Sequence, residues 1–128
     1  MFGRAIGIVV GGTATTAAGN TVKDNATGML VAGSRAVVTR NTALSNAGDG
    51  LQAMAEAAAI SGNLANANGE DGIDATGATG ATLDRNTASF NSRLGIDADG
   101  DAIDEGRNAA TGNGSLHQCE NVVCSDVR

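Results

Sequence analysis

The carboxylates are the first residues whose type and spacing could do chemistry. Asp74 and Asp97 each stand two residues after a glycine, inside the same word, Gly-Ile-Asp-Ala. If that word is a strand laid on its own copy in the next layer, the two carboxylates lie about 5 Å apart at the backbone. Like charges that close raise one pKa or recruit a cation. The run Asp97-Ala98-Asp99-Gly100-Asp101 gathers more acid beside them. Ca2+ takes six to eight oxygen ligands, so Asp97, Asp99 and Asp101 form the candidate metal set, and no other cofactor is expected. It is not an EF-hand loop: Ala102 stands where glycine is required and Asn108 where the bidentate Glu should be. The plain alternative is a solvated acidic edge. Retaining glycosidases space their carboxyls at about 5–5.5 Å, but no aromatic residue lies near this pair to hold a sugar.

Arginine is the second candidate. Arg40, Arg85 and Arg107 each precede an asparagine that recurs along the chain. Arg40 or Arg85 could hold a uronate carboxylate or act as a lyase base. With Asp74 and Asp97 they make the candidate binding set. The plain alternative is a solvated corner or an ion pair, and Asp84 and Asp104 sit beside this column. Ser, Thr and the lone His117 are not arranged as a triad, and Gly77-Ala78-Thr79-Gly80 opens no helix, so it is no phosphate cradle. No catalytic residue is assigned.

What must position these groups is a repeat. A glycine recurs as Gly7, Gly28, Gly50, Gly72 and Gly95. One asparagine recurs as Asn20, Asn41, Asn63, Asn86 and Asn108, and a second as Asn25, Asn46, Asn68, Asn91 and Asn113. The steps are 21 to 23 residues throughout. A fixed period near 22 marks a solenoid, one coil per unit. After the glycine come the columns Ile8, Met29, Leu51, Ile73, Ile96 and Val10, Val31, Ala53, Ala75, Ala98, with Val9, Leu30, Gln52, Asp74 and Asp97 between them. This alternation is a strand with one buried face. A second strand carries Ala17, Val38, Ile60 and Leu83 inward. In the fifth unit Glu105 falls in that column, and Ile103 is expected to supply the apolar contact across a bulge. A third strand carries Val22, Ala43, Ala65, Ala88 and Ala110. The expected fold is all-β: three short parallel sheets enclosing a prism. Asparagine at the corners is read as the residue that tolerates a left-handed bend, with amides that stack from coil to coil. Asp49-Gly50 and Asp71-Gly72 mark further bends. The segment 54–60 is Ala-rich and helix-prone in isolation, but the unbroken register on both sides predicts strand or loop.

Composition agrees. Only Phe2 and Phe90 are aromatic, and proline is absent. Such small side chains fill a narrow prism better than a globular core, and every backbone N–H stays free to join a ladder. The net charge of −6 without a Lys/Arg cluster argues against nucleic acid, and no apolar run is long enough to span a membrane. The start, Met1-Phe2-Gly3-Arg4 and the apolar residues after it, has the look of a secretion signal, but Ile8 and Val10 fall in register with Met29 and Val31 and read better as a first coil. Upstream coils of the same longer chain are therefore expected as partners. The repeat ends at Asn113, so 1–113 is read as coils and 114–128 as a cap or tail. Cys119 and Cys124 sit in that tail; a metal site built on them with His117 lacks a fourth protein ligand, so a disulfide is the better reading, and it implies an oxidising, extracellular setting.

The Gly-Ile-x-Ala … Asn-x-Ala-x-x-Asn unit resembles the right-handed parallel β-helix proteins of the pectin-lyase-like group. The ending Gly112-Asn113-Gly114 … Gln118-Cys119 … Asn121-Val122 … Cys124 is similar to the C-terminus of secreted bacterial members. The resemblance implies a right-handed coil and a secreted or cell-surface protein. It does not imply one activity, because this fold hosts lyases, glycosidases, epimerases, adhesins and sugar-binding modules. The glycosidase His-Gly and Arg-x-Lys elements are missing: Gln118 follows His117, and no Arg-x-Lys occurs. The expectation is a non-catalytic extracellular β-helix segment that meets a polysaccharide or cell-surface glycan. The alternative is a fragment of a polysaccharide lyase or glycoside hydrolase.

Overall fold

The computed structural model describes residues 5–125. The part of the signal-like start that precedes Ala5 lies outside them. The first coil is β1 (Ile6–Val10), β2 (Thr16–Ala18) and β3 (Thr21–Lys23); the second is β4 (Thr27–Val31), β5 (Val37–Thr39) and β6 (Thr42–Leu44). The third is β7 (Leu51–Ala53), β8 (Ala59–Ser61) and β9 (Leu64–Asn66), and the fourth β10 (Ile73–Ala75), β11 (Thr82–Asp84) and β12 (Thr87–Ser89). The fifth is β13 (Ile96–Ala98), β14 (Ile103–Gly106) and β15 (Asn108–Ala109), and the tail adds β16 (Cys119–Glu120) and β17 (Cys124–Ser125).

Every strand pairs in parallel with its counterpart one coil away. The first sheet runs β1-β4-β7-β10-β13-β16, the second β2-β5-β8-β11-β14, the third β3-β6-β9-β12-β15-β17. Equal positions face each other: Met29 pairs with Leu51, Val38 with Ile60, Ala43 with Ala65. The inward columns make one continuous core from Val10 and Val22 to Ile96 and Ala98. Residues 54–58 form a turn between β7 and β8, with Ala57 at a left-handed φ of 58° and no helix. Helix propensity loses here because backbone groups on both sides are already committed to neighbouring coils.

Two expectations need correction. The fifth coil does bulge, with a register shift after Leu83, but Asp104 stands opposite Leu83 and Ile103 is 52% exposed. Ala102 packs against the core there instead. The corner asparagines, for their part, are not the left-handed residues. Positive φ belongs to the residue before each of them: Gly19, Asp24, Arg40, Ser45, Gly62, Ala67, Arg85, Phe90, Arg107 and Gly112. The bend is made one position earlier, and it turns the asparagine side chain into the core.

The tail continues the stack. β16 pairs with β13 and β17 with β15, so the cap is a short sixth layer on two of the three sheets. The disulfide Cys119–Cys124 ties the layer together, and buried Val122 closes the core while Val123 stays exposed.

Candidate functional site

The groups that could meet a ligand lie at two separate corners of the prism, and their settings follow from how the corners are built. From the second coil on, the amides at the two asparagine corners are saturated. Asn63 donates its backbone N–H and its Nδ2 to Asn86 Oδ1, at 3.1 Å each, and sends its second Nδ2 hydrogen back to Val38 O at 2.9 Å. The same three bonds recur at Asn41, Asn86 and Asn91. The second ladder ends on Gln118, whose Oε1 accepts from Asn113 N and Nδ2 as a further asparagine would. The first ends at Asn108, which donates to Asp104 Oδ1, while Asp104 Oδ2 accepts Val123 N–H and pins the cap. No buried side-chain polar atom among the described residues lacks a partner.

The opening glycines belong to this arrangement. A Cβ on Gly72 would lie 2.6 Å from Asn91 Nδ2 and 2.7 Å from Gly95 O. Glycine and the second asparagine therefore recur together because one makes room for the other.

The third corner, between the third and first sheets, is acidic. Asp49 and Asp71 sit one residue before the opening glycines and are only 8% and 4% exposed. Each accepts a backbone N–H from the next coil: Asp71 N donates to Asp49 Oδ1 and Leu94 N to Asp71 Oδ1, both at 2.9 Å. Asp74 stands beside them, half-buried, its Oδ1 accepting from Thr76 N and Oγ1. One carboxylate oxygen from each of Asp49, Asp71 and Asp74 lies within 4.8 Å of the others. Burial pushes the Asp49 carboxyl up to about 7, against the Asp71 N–H that lowers it, and Asp74, Asp71 and Glu70 add repulsion. Asp71 is raised as well, chiefly by burial. Asp97, paired in register with Asp74 and with Glu120, is pushed up to about 6 by burial first and then by Asp71, Asp74 and Glu120, with Arg93 opposing. A groove of about 420 Å3 runs beside Asp49, lined by Thr27, Gly48, Gln52 and Glu70.

The structure brings Asp74 and Asp97 together on adjacent rungs, as the repeat requires. Among the described residues, Asp49, Asp71 and Asp74 come within mutual ligand reach. Asp99 and Asp101 lie in the turn after β13, where Asp101 Oδ1 accepts Gly80 N–H, and that bond holds its carboxyl low. Arg40 and Arg85 lie before the first asparagine, at the corner between the second and third sheets, so the topology places them apart from the acids of the first sheet. Arg85 and Arg107 both reach Asp84, at 3.6 and 3.5 Å. Sequence reasoning named Asp49 and Asp71 only as bends. Their shared place before the opening glycines was the available signal, since those glycines are also the start of a buried strand.

A triangular prism of parallel rungs with internal amide ladders defines a parallel β-solenoid. The family model described as "Right handed beta helix region" matches residues 6–126, so the chain belongs to the right-handed β-helix family. No curated protein and no solved structure matches it.

Proposed function

We propose that the chain is a non-catalytic extracellular β-helix segment, a surface scaffold that presents its acidic first-sheet face to a polysaccharide or cell-surface glycan, with Ca2+ as the bridging cation. The observation that carries this reading is the acidic corner itself: Asp49, Asp71 and Asp74 bring three carboxylates together, with Arg93 beside them paired to Glu70 at 3.7 Å, while Arg40, Arg85 and Arg107 lie at another corner. The Cys119–Cys124 disulfide supports an oxidising location. Oxygen atoms of Asp49, Asp71 and Asp74 within 4.8 Å of one another support Ca2+. That ion takes oxygen ligands at about 2.3–2.6 Å. Calcium titration by calorimetry, followed by a glycan array with and without calcium, tests the reading. Calcium-dependent glycan retention that is lost in Asp71→Ala is the expected result; retention of no glycan in either condition overturns it.

One observation favours a second reading, a fragment of a polysaccharide-cleaving enzyme. Asp97, its carboxyl pushed up to about 6 chiefly by burial, stands in register with Asp74 on the adjacent rung, so two carboxyls face the same side of the sheet. Uronate polymers assayed for new unsaturated or reducing ends, with Asp97→Ala as the control, test it. Cleavage by the parent chain and its loss in the variant would establish this reading in place of the first.

A further inference from the structure

The groove beside the aspartate corner holds a second arrangement, built on Gly48 and Glu70, that the calcium set does not use. It lies inside the stack: Ala26 N–H donates to Ala5 O on one side, and Glu70 N–H donates to Gly48 O at 3.1 Å on the other. Gly48 leaves a cradle. A Cβ there would stand 2.8 Å from Ala26 O, 3.5 Å from Glu70 Oε2 and 3.8 Å from Thr27 Oγ1. Oxygens of the coils on both sides thus surround one point that no side chain fills. Asp49, the next residue, is 8% exposed and lines the same groove. Its Oδ1 accepts Asp71 N–H, and its Oδ2 takes no hydrogen bond among the described residues. Glu70 divides its oxygens: Oε1 meets Arg93 Nη1 at 3.7 Å, and Oε2 faces the cradle. Among the described residues no cationic side chain lines the groove.

We infer that this groove holds a glycan by a free primary amine: an amino sugar whose ammonium sits over Gly48 and whose hydroxyls meet Thr27 and Gln52. A primary ammonium has three N–H donors and no acceptor. Ala26 O, Glu70 Oε2 and Thr27 Oγ1 set three acceptors around one point. Asp49 adds a largely buried carboxylate without a counter-ion among the described residues. A buried charge left unpaired is costly, so a cation that pairs with it is held more tightly than at a solvated acid. The same acids repel a uronate or a sulfate ester. An N-acetyl group brings one N–H in place of three, and no charge. A protein partner would need an apolar centre, whereas the apolar side chains of the groove are alanines. The inference rests on the glycan part of the scaffold reading and not on its calcium, because the sugar carries its own cation.

Titration calorimetry with glucosamine oligosaccharides and their N-acetylated counterparts of equal length, in EDTA and again with calcium, tests it. The free-amine form is expected to bind in EDTA, and the acetylated form at least about tenfold more weakly, as the loss of a charge-assisted contact implies. Glu70→Gln is expected to weaken binding of the free-amine form by about tenfold and Thr27→Val by a smaller factor, with circular dichroism confirming an unchanged fold. Glu105→Gln removes the same charge from the second sheet and is expected to leave binding unchanged. Equal weakening in the two glutamine variants would mean that net charge alone attracts the amine, and overturns the inference. Equal, calcium-dependent binding of the two sugar forms also overturns it and leaves the scaffold reading standing. Binding of neither form overturns it as well, and the scaffold reading is then decided by the glycan array.

Discussion

The asparagine corners and the aspartate corner hold the same turns of the same coil with different side-chain chemistry. At an asparagine corner the amide is donor and acceptor at once: Asn86 is fully buried, accepts twice from Asn63 and donates to Ile60 O and Asn108 Oδ1. At the aspartate corner the carboxylate only accepts, and Asp71 takes one N–H, from Leu94. A neutral amide buried with every bond made costs little, while a buried carboxylate with a single donor is desolvated without full repayment. The ladder is therefore a structural device, and the aspartate corner is where unfavourable charge and ligand chemistry collect. Asp49 and Asp71 at that corner, and Asp97 on the adjoining strand, carry raised pKa values for that reason.

Substitutions that convert one corner toward the other sharpen this contrast. The largest effect is expected from Asn86→Ala. It strands Asn63 N and Nδ2 and Ile60 O in the core. The cost is about 3 kcal/mol or more, read as a lower midpoint in thermal or urea unfolding. Gly72→Ala comes next. The new methyl meets Asn91 Nδ2 and Gly95 O. Overpacking of this kind costs about 1–3 kcal/mol in the same assay.

The aspartate corner should behave in the opposite way. Asp49→Asn keeps an acceptor for Asp71 N–H and removes the buried charge. The variant should therefore unfold at a higher temperature than the parent at about pH 8 and at the same temperature near about pH 4. The parent itself should show the matching pH dependence. The Asp49 carboxyl rises from 3.8 to about 7 on folding, so its contribution is fully present below 3.8 and is lost as pH climbs through about 7. Stability measured from about pH 4 to about pH 8 should fall, and Asp49→Asn should flatten the curve; an unchanged slope in the variant would assign the dependence to other groups. The smallest effect is expected at the bends. Ala67 holds a φ of 58°, in the left-handed region that glycine already occupies at Gly19, Gly62 and Gly112. Ala67→Gly should stabilise by a few tenths of a kcal/mol up to about 1, detectable as a small rise in midpoint.

Much of this architecture was legible in the chain. The spacing of Gly50, Asn63 and Asn68 against Gly72, Asn86 and Asn91 set the period, and the alternation in Leu51-Gln52-Ala53 and Ile73-Asp74-Ala75 set which side faces in. The turn at 54–58 was legible only through its neighbours, because local propensity there points to helix. The candidate site was less legible. Asp74 and Asp97 were found because they share a column; Asp49 and Asp71 were missed because turn residues before a glycine are ordinarily solvated. Asp99 and Asp101 were picked out by sequence proximity, and the structure adds that Asp101 accepts Gly80 N–H and lies beside the Asp99 side chain.

Periodicity alone determined the coils, the parallel register and the inward columns. These are consequences of equal residues recurring at equal steps, and a one-dimensional repeat carries them in full. The tertiary structure decided which residue bends at each corner, how each amide spends its hydrogens, that Asp104 and Gln118 end the two ladders, and which carboxylates meet at the third corner. Those depend on side-chain direction and on burial by the coils above and below, quantities that exist only once the layers lie on one another.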